Sequence, residues 1–310
     1  MEIYCAGTGS ASDINTLQIF NQYTGLKPNV LFSYKYIGDK INTKDEFTFN
    51  SIISKYKPIT NKMMLDSGGF STKDMDDNSL ECITLENRFY DFIEHNVKYL
   101  DEIFTCVFAF DKISNNYINY EKNFDRYDLQ YSKYPRIVPI VHDITDNSKE
   151  TEEYSIYNPH TIAIGFSREK TNIKYLKPAT KKIRQRCKSH LLGITSVEIL
   201  SKVETDTCDS TSWLQDSNLG IIRYFYVENE KILSAGVYFP KYHGAVKNGT
   251  VSFDKFKFRD QLIEVAESKF RLKKENFDDL YAGTLYRKLM NLYFTMEYEK
   301  LLTEYYKHLQ

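Results

Sequence analysis

Residues 64–71 read Met-Leu-Asp-Ser-Gly-Gly-Phe-Ser, a short apolar run followed by an acid, a hydroxyl and two glycines. The apolar run Met63–Leu65 predicts a short buried strand, and Asp66 stands where that strand ends. The two glycines that follow allow the backbone to turn sharply and to approach a ligand closely. The stretch therefore predicts a strand that presents one carboxylate to a substrate, with a tight turn and a solvated Asp as the plain alternative.

Two further apolar runs end in aspartate, residues 103–110 before Asp111 and residues 206–208 before Asp209. Short apolar runs alternate with helical patterns throughout residues 1–215, which is typical of an α/β fold, the (β/α)8 barrel of the TIM type. The predicted strands cover residues 3–6, 29–36, 63–66, 103–110, 136–141, 161–164, 190–194 and 206–208. Because such barrels carry their chemistry at the C-terminal ends of the strands, Asp66, Asp111 and Asp209 are expected at one mouth.

The pattern changes after residue 215. Residues 221–226 and 232–239 predict a hairpin, and residues 253–271 and 277–308 predict helices. We interpret residues 1–215 as a catalytic barrel and residues 216–310 as a hairpin and helical extension that packs on the barrel and closes it.

The composition is that of an ordinary globular protein, with 42% hydrophobic and 27% charged residues. The formal net charge is -1, so any nucleic-acid site has to come from a local basic patch. Arg168, Lys170 and a basic helix over residues 181–188 are the candidates, and a solvated outer face is the alternative for that helix.

The cysteines are scattered and lack the spacing of a zinc site, so no metal is predicted: Cys5, Cys82, Cys106, Cys187 and Cys208. The first residues lack the basic start and apolar core of a signal peptide, and no apolar run approaches the length of a membrane span. The sequence therefore predicts a cytoplasmic protein with no membrane partner, and it leaves the oligomeric state open.

A set of short motifs resembles a known family. The motifs are D-S-G-G-F at 66–70, F-A-F-D at 108–111, Gly-Phe at 165–166 after a strand, L-L-G-I at 191–194 and C-D-S at 208–210. In order and context they resemble the tRNA-guanine transglycosylase superfamily. The chain is most similar to its DNA-modifying branch, the DpdA-type 7-deazaguanine DNA transglycosylases of phages and bacteria. The resemblance covers roughly residues 1–215. It also implies that the protein could be encoded by a phage and act in the cytoplasm of the bacterial host.

The resemblance implies a role for each aspartate. Asp209 matches the nucleophile that attacks the sugar C1′, and Asp66 matches the general acid/base. Asp111 matches the residue that accepts the N1–H and 2-amino donors of guanine. Further base contacts are implied for Ser67, Gly68, His142, Gly165, Phe166 and Leu192. If the substrate is DNA, Arg168, Lys170 and Trp213 are the candidates for contacts to it, although Trp213 stands in a Ser-Thr-Ser-Trp segment where the family has a Pro-Thr-Arg-like tail. The implied reaction replaces guanine in DNA by a free, preQ0-like 7-deazaguanine base and needs no cofactor.

The sequence also departs from the tRNA enzymes. It lacks their C-x-C-x-x-C…H zinc site, and His142 stands where they usually have Gln. These differences favour DNA over tRNA as the substrate. The alternatives are a tRNA transglycosylase without zinc, a hydrolase that releases the base, a non-catalytic partner subunit and a barrel of unrelated chemistry. The remaining histidines are interpreted as structural or surface residues: His95, His160, His190, His243 and His308.

Overall fold

The computed structural model describes residues 1–35, 53–76, 78–114, 117–145, 148–165, 167, 169–239 and 249–308. The sequence also predicts a helix over residues 43–57, which is capped by Thr43 and stopped by Pro58. Its residues 53–56 are helical, and most of the others lie outside the described residues. The predicted site residues Phe166 and Arg168 also lie outside them.

An eight-stranded parallel sheet forms the centre of the molecule, in the order β4-β3-β2-β1-β10-β9-β8-β7. Its two edges meet, because the Ala109 N–H donates to the Val138 carbonyl (2.9 Å) and the Val138 N–H donates to the Val107 carbonyl (2.8 Å). The predicted (β/α)8 barrel is therefore confirmed. The strands are β1 (Glu2–Thr8), β2 (Asn29–Ser33), β3 (Met63–Asp66), β4 (Cys106–Val107), β5 (Ile113–Ser114), β6 (Tyr117–Ile118), β7 (Ile140–Val141), β8 (Thr161–Ile164), β9 (Lys188–Leu191) and β10 (Thr207–Ser210).

Side chains on the strands alternate between the barrel interior and the surrounding helices, as the two-residue period of a strand requires. One cluster fills the interior: Tyr4, Ala6, Leu31, Met64, Cys106, Phe108, Val138, Ile140 and Ala163. Their neighbours along the strands, such as Ile3, Val30 and Leu65, belong to the larger core between the sheet and the helices. The barrel is thus a packed core, and ligands can approach only its ends.

Helices follow the strands in alternation: α1 (Ala11–Thr24), α2 (Leu80–Ile103), α3 (Tyr120–Lys133), α4 (Glu150–Ser155), α5 (Ile173–Arg184), α6 (Val197–Leu200) and α7 (Ser212–Asn218). A single-turn 3₁₀ helix, Gly69–Thr72, follows β3. Several boundaries differ from the predictions. The strand predicted over 29–36 ends at Ser33, and the one predicted over 136–141 begins at Ile140. Ile103 ends α2 and does not begin a strand, and Lys188 begins β9 because the basic helix ends at Arg184.

The described residues after α7 form a three-stranded sheet, in which β11 and β12 are the predicted hairpin, and three α-helices: β11 (Ile221–Glu228), β12 (Lys231–Tyr238), β13 (Thr250–Ser252), α8 (Arg259–Phe270), α9 (Asp278–Ala282) and α10 (Leu285–Lys307). The helix predicted over 277–308 is divided at Gly283, and the one predicted over 253–271 begins only at Arg259.

The long helix α10 packs on the first strand of the barrel, where Glu299 accepts a 2.7 Å hydrogen bond from the Ile3 N–H. The Tyr306 hydroxyl donates to the carbonyls of Leu200 and Val203, which lie in and after α6. Apolar residues from both sides of residue 215 belong to one continuous core, so the division of the chain there stays a prediction. Among the described residues, no helix combines the length and apolar character needed to cross a membrane.

Candidate active site at the C-terminal mouth of the barrel

The structure brings Asp66, Asp111 and Asp209 to one mouth, at the ends of three different strands. Asp66 ends β3, Asp111 follows β4, and Asp209 lies in β10. The turn after β3 touches Asp111 directly. A Cβ at Gly69 would lie 2.0 Å from the Asp111 carbonyl oxygen and 2.5 Å from its Oδ1. Glycine at residue 69 therefore permits the close approach of these two strand ends.

Asp66 is only partly exposed, and this burial raises the pKa of Asp66 to about 7. The negative charges of Asp111 and Asp209 raise it further, while hydrogen bonds from the Ser33 hydroxyl and the Gly68 N–H oppose the rise. A carboxyl group with this pKa exchanges a proton readily near neutral pH, as a general acid/base must.

Asp209 is buried and is held through one of its two oxygens. Its Oδ1 accepts a 3.0 Å hydrogen bond from the Gly193 N–H and lies 3.1 Å from His190 Nε2. Within the described part of the chain, no hydrogen bond reaches Oδ2, which leaves that oxygen available to a substrate. Lys170 is nearby: burial lowers the pKa of Lys170, and the charge of Asp209 opposes this.

The sequence shows no pairing of His190 that suggests catalysis and predicts a structural or surface residue, whereas the structure brings the ring into contact with Asp209. The ring is fully buried, and its two nitrogens contact Thr207 Oγ1 (2.8 Å) and Asp209 Oδ1 (3.1 Å). Strand register explains the contact, since His190 pairs with Thr207 and Asp209 lies two residues further on the same face. The missed signal was this alignment of β9 with β10.

Asp111 is buried beside His142, whose side chain has no exposed surface. Asp111 Oδ2 and His142 Nε2 are 2.9 Å apart, although the two atoms are not aligned as a hydrogen bond. Glu150 in α4 holds this strand end, since its Oε2 accepts from the backbone N–H groups of His142 (2.8 Å) and Asp143 (2.7 Å). Burial raises the pKa of Glu150 to about 7. Sequence reasoning missed Glu150, and nothing in its local pattern indicated the contact.

No protein-family model matches this chain. No curated protein matches it either.

Two glycines of the mouth allow neighbouring residues to approach the backbone closely. Gly68 has a φ of 86°, a left-handed conformation that favours glycine, and its N–H donates to Asp66 Oδ2 at 3.1 Å. A Cβ at Gly165 would lie 2.4 Å from Ile140 and 3.1 Å from the His142 ring. A side chain at either position would displace a residue of the mouth.

Two other predicted contact residues have different surroundings. The Ser67 hydroxyl is fully buried, donates to the Ala109 carbonyl at 2.9 Å and accepts from the Gly69 N–H. It therefore holds the turn, and it is not open to a base in this conformation. Leu192 is partly buried and packs on the cluster inside the barrel, so it forms the apolar floor of the mouth.

Trp213 was predicted to contact nucleic acid, and the structure corrects this. Its side chain is buried in the core, and the indole N–H donates to the Ala6 carbonyl at 2.8 Å. An indole of this size next to a barrel strand contributes packing area, and its one polar atom is satisfied internally.

No group of three or more His, Cys, Asp or Glu side chains is arranged to hold a metal ion within the described ranges. Cys5, Cys82, Cys106 and Cys208 are buried free thiols, and Cys187 is partly buried. Burial raises the pKa of the Cys187 and Cys106 thiols to about 11, which keeps both protonated and unreactive near neutral pH.

Proposed function

We propose that the protein is a pentosyltransferase that exchanges guanine in DNA for a 7-deazaguanine base through a covalent aspartyl-glycosyl intermediate. One observation carries the proposal: three carboxylates from separate strands meet at one mouth in three different environments. Asp209 is fixed through a single oxygen, Asp66 exchanges a proton near neutral pH, and Asp111 lies beside the His142 imidazole. The first environment suits a nucleophile, the second suits a general acid/base, and the third carboxylate is left for base recognition.

In the first displacement, Asp209 Oδ2 attacks C1′ of the target nucleotide and the bond from C1′ to guanine breaks. The electron pair leaves with guanine, which takes the proton of Asp66. In the second, the incoming base gives its N9 proton to the Asp66 carboxylate, and N9 attacks C1′. The bond from C1′ to Oδ2 then breaks and restores the Asp209 carboxylate. Two displacements at one carbon keep the sugar configuration, and the proton on Asp66 is recovered.

Asp111 selects the base in this proposal. Guanine and 7-deazaguanines offer two adjacent donors, N1–H and the 2-amino group, and a carboxylate accepts both. Adenine has no donor at N1, so an adenine in the site would leave the buried Asp111 unpaired, which disfavours it strongly. The expected contact of His142 with the base is not met in this conformation, because its side chain has no exposed surface; it lies against Asp111 and would act on the base only through that carboxylate.

DNA is the proposed polymer because the chain resembles the DNA-modifying branch of the superfamily and lacks the zinc motif of the tRNA enzymes. A guanine in duplex DNA must leave the stack to reach a barrel mouth, at a cost of about a few kcal/mol. Lys170, next to Asp209, would contact a phosphate near the flipped nucleotide. The setting that the resemblance implies is a phage protein acting in the cytoplasm of its bacterial host.

The test is a covalent trap. Wild type and Asp209→Asn are incubated with guanine-containing DNA, and separately with tRNA, each with and without preQ0. Intact-mass spectrometry detects the protein adduct, and nuclease digestion followed by nucleoside analysis detects the exchanged base. The control is Asp260→Asn, because the Asp260 side chain is 92% exposed and lies in α8, outside the strands of the barrel.

An adduct and incorporated base with DNA, both lost in Asp209→Asn and kept in Asp260→Asn, are the expected results. An adduct with tRNA alone would support the proposed reaction but show that the polymer is tRNA and not DNA. Abasic sites without incorporation would indicate a hydrolase. No adduct and no exchange on either polymer by folded wild type would overturn the proposal.

A further inference from the structure

His190 lies between two strand residues that differ in chemistry. Its Nδ1 is 2.8 Å from the Thr207 hydroxyl, and its Nε2 is 3.1 Å from Asp209 Oδ1. The ring has no exposed surface, and Phe108 from the barrel interior packs against it with ring centroids 4.8 Å apart. The ring is therefore held in one place, and its two nitrogens cannot exchange roles by reorienting in solvent.

The Thr207 hydroxyl determines which nitrogen carries the proton. It has one hydrogen, which it can donate to His190 Nδ1 at 2.8 Å or to the Ser189 carbonyl at 3.4 Å. The shorter contact is the better hydrogen bond. Donation to Nδ1 makes that nitrogen an acceptor, so the ring proton of the neutral imidazole lies on Nε2 and faces Asp209.

We propose that Thr207 and His190 form a two-bond relay that aims the Asp209 carboxylate, with His190 as a positioning residue for the nucleophile. Together with the Gly193 N–H, the relay places two donors on Oδ1. A carboxylate held by two donors on one oxygen cannot rotate freely, so Oδ2 keeps one direction toward the substrate. The inference rests on the proposed function for its kinetic consequence, but the position of the ring proton does not depend on it.

Matched substitutions separate positioning from packing. His190→Gln keeps an N–H donor that reaches Asp209, whereas His190→Leu has similar bulk and no donor. Thr207→Ser keeps the hydroxyl, and Thr207→Val removes it with little change of shape. We expect kcat for base exchange to fall about a hundredfold in His190→Leu, as for a misplaced reacting group, with KM for DNA little changed. His190→Gln should keep most of the kcat that is lost in His190→Leu. Thr207→Ser should likewise keep most of the kcat that is lost in Thr207→Val.

The second readout needs no substrate. In protein labelled with ¹⁵N-histidine, the ring nitrogens of His190 are assigned by comparison with His190→Gln. We expect a neutral ring with its proton on Nε2 in wild type, a perturbed Nε2 signal in Asp209→Asn, and loss of the single tautomer in Thr207→Val. A proton on Nδ1 alone, or on both nitrogens, would overturn the relay.

The outcomes distinguish the two proposals. If wild type exchanges no base while the ring carries its proton on Nε2 and responds to Asp209→Asn, the proposed function fails and the relay stands. If wild type is active and His190→Leu, folded, has the kcat of wild type, the positioning role fails and the proposed function stands.

Discussion

Asp66→Asn is expected to make the protein more stable at alkaline pH while it removes base exchange. The pKa of Asp66 is raised to about 7 in the folded protein, from an ordinary value of 3.8. An acid whose pKa rises on folding is a destabilising group when ionised, and this cost is fully present above pH 7. It is relieved as pH falls from the folded value toward the unfolded one, because the folded protein then binds the extra proton. Asparagine never ionises, so the variant lacks the cost at every pH.

The magnitude follows from the same values. The rise in pKa to about 7 corresponds to about 4 kcal/mol at high pH, and lowering the pH from about 8.5 to about 5.5 recovers about 2 kcal/mol of it. Asp66 keeps some exposed surface, and solvent screening reduces the recovered part to about 1–2 kcal/mol. For a chain of 310 residues this is about 2–3 °C in Tm.

The assay is differential scanning calorimetry of wild type, Asp66→Asn and the exposed control Asp260→Asn at both pH values. The quantity compared is the change in Tm between pH values, because the titration of other groups is common to all three proteins. Wild type should gain about 2–3 °C more than Asp66→Asn on acidification, and Asp260→Asn should behave as wild type. Equal changes in wild type and Asp66→Asn, or an Asp66→Asn protein that is the less stable one at alkaline pH, would refute the reasoning.

Three further predictions concern other residues of the barrel. Gly69→Ala should remove base exchange, because its Cβ would lie 2.0 Å from the Asp111 carbonyl oxygen. Gly25→Ala, whose Cβ would have no atom within 4 Å, should retain activity and lose only some stability. Activity and Tm are measured for both variants. Trp213→Phe removes a buried N–H donor and should lower the free energy of unfolding by about 1–3 kcal/mol, measured by urea denaturation, without changing the affinity of folded protein for DNA. Lys170→Met should weaken DNA binding and reduce the slope of log K against log salt by about one, measured by fluorescence anisotropy against Lys170→Arg, which should keep the slope.

The barrel was predictable because its strands are short apolar runs that alternate with helices, and that pattern is local. The meeting of Asp66, Asp111 and Asp209 followed from one rule, that parallel strands in a barrel all end at the same mouth. Boundaries were less predictable: the apolar residue Ile103 suits a strand and a helix equally, and only tertiary packing assigned it to the end of α2.

Contacts across strands were not predictable, because they depend on register. His190 looked like an isolated histidine in the sequence, and only the pairing of β9 with β10 brings it to Asp209. The prediction that Trp213 contacts nucleic acid was wrong for a different reason. Its position just after a strand-terminal aspartate suggested the mouth, but the first turn of α7 directs the indole inward to a barrel strand.

The strand that carries the proposed nucleophile, Asp209, also carries Thr207, the first residue of the proposed relay that orients it. Thr207 and Asp209 lie two residues apart on the same face of β10. The hydroxyl of one and the carboxylate of the other therefore contact the same histidine. The apolar cluster beneath, with Phe108 against the ring, excludes water from these bonds and leaves the histidine no other partner among the described residues. On the proposed function, the interior packing that stabilises the barrel would also fix the direction of Asp209. Phe108→Leu should therefore lower kcat for base exchange while the protein stays folded, as steady-state kinetics and a thermal unfolding curve of the same sample would show.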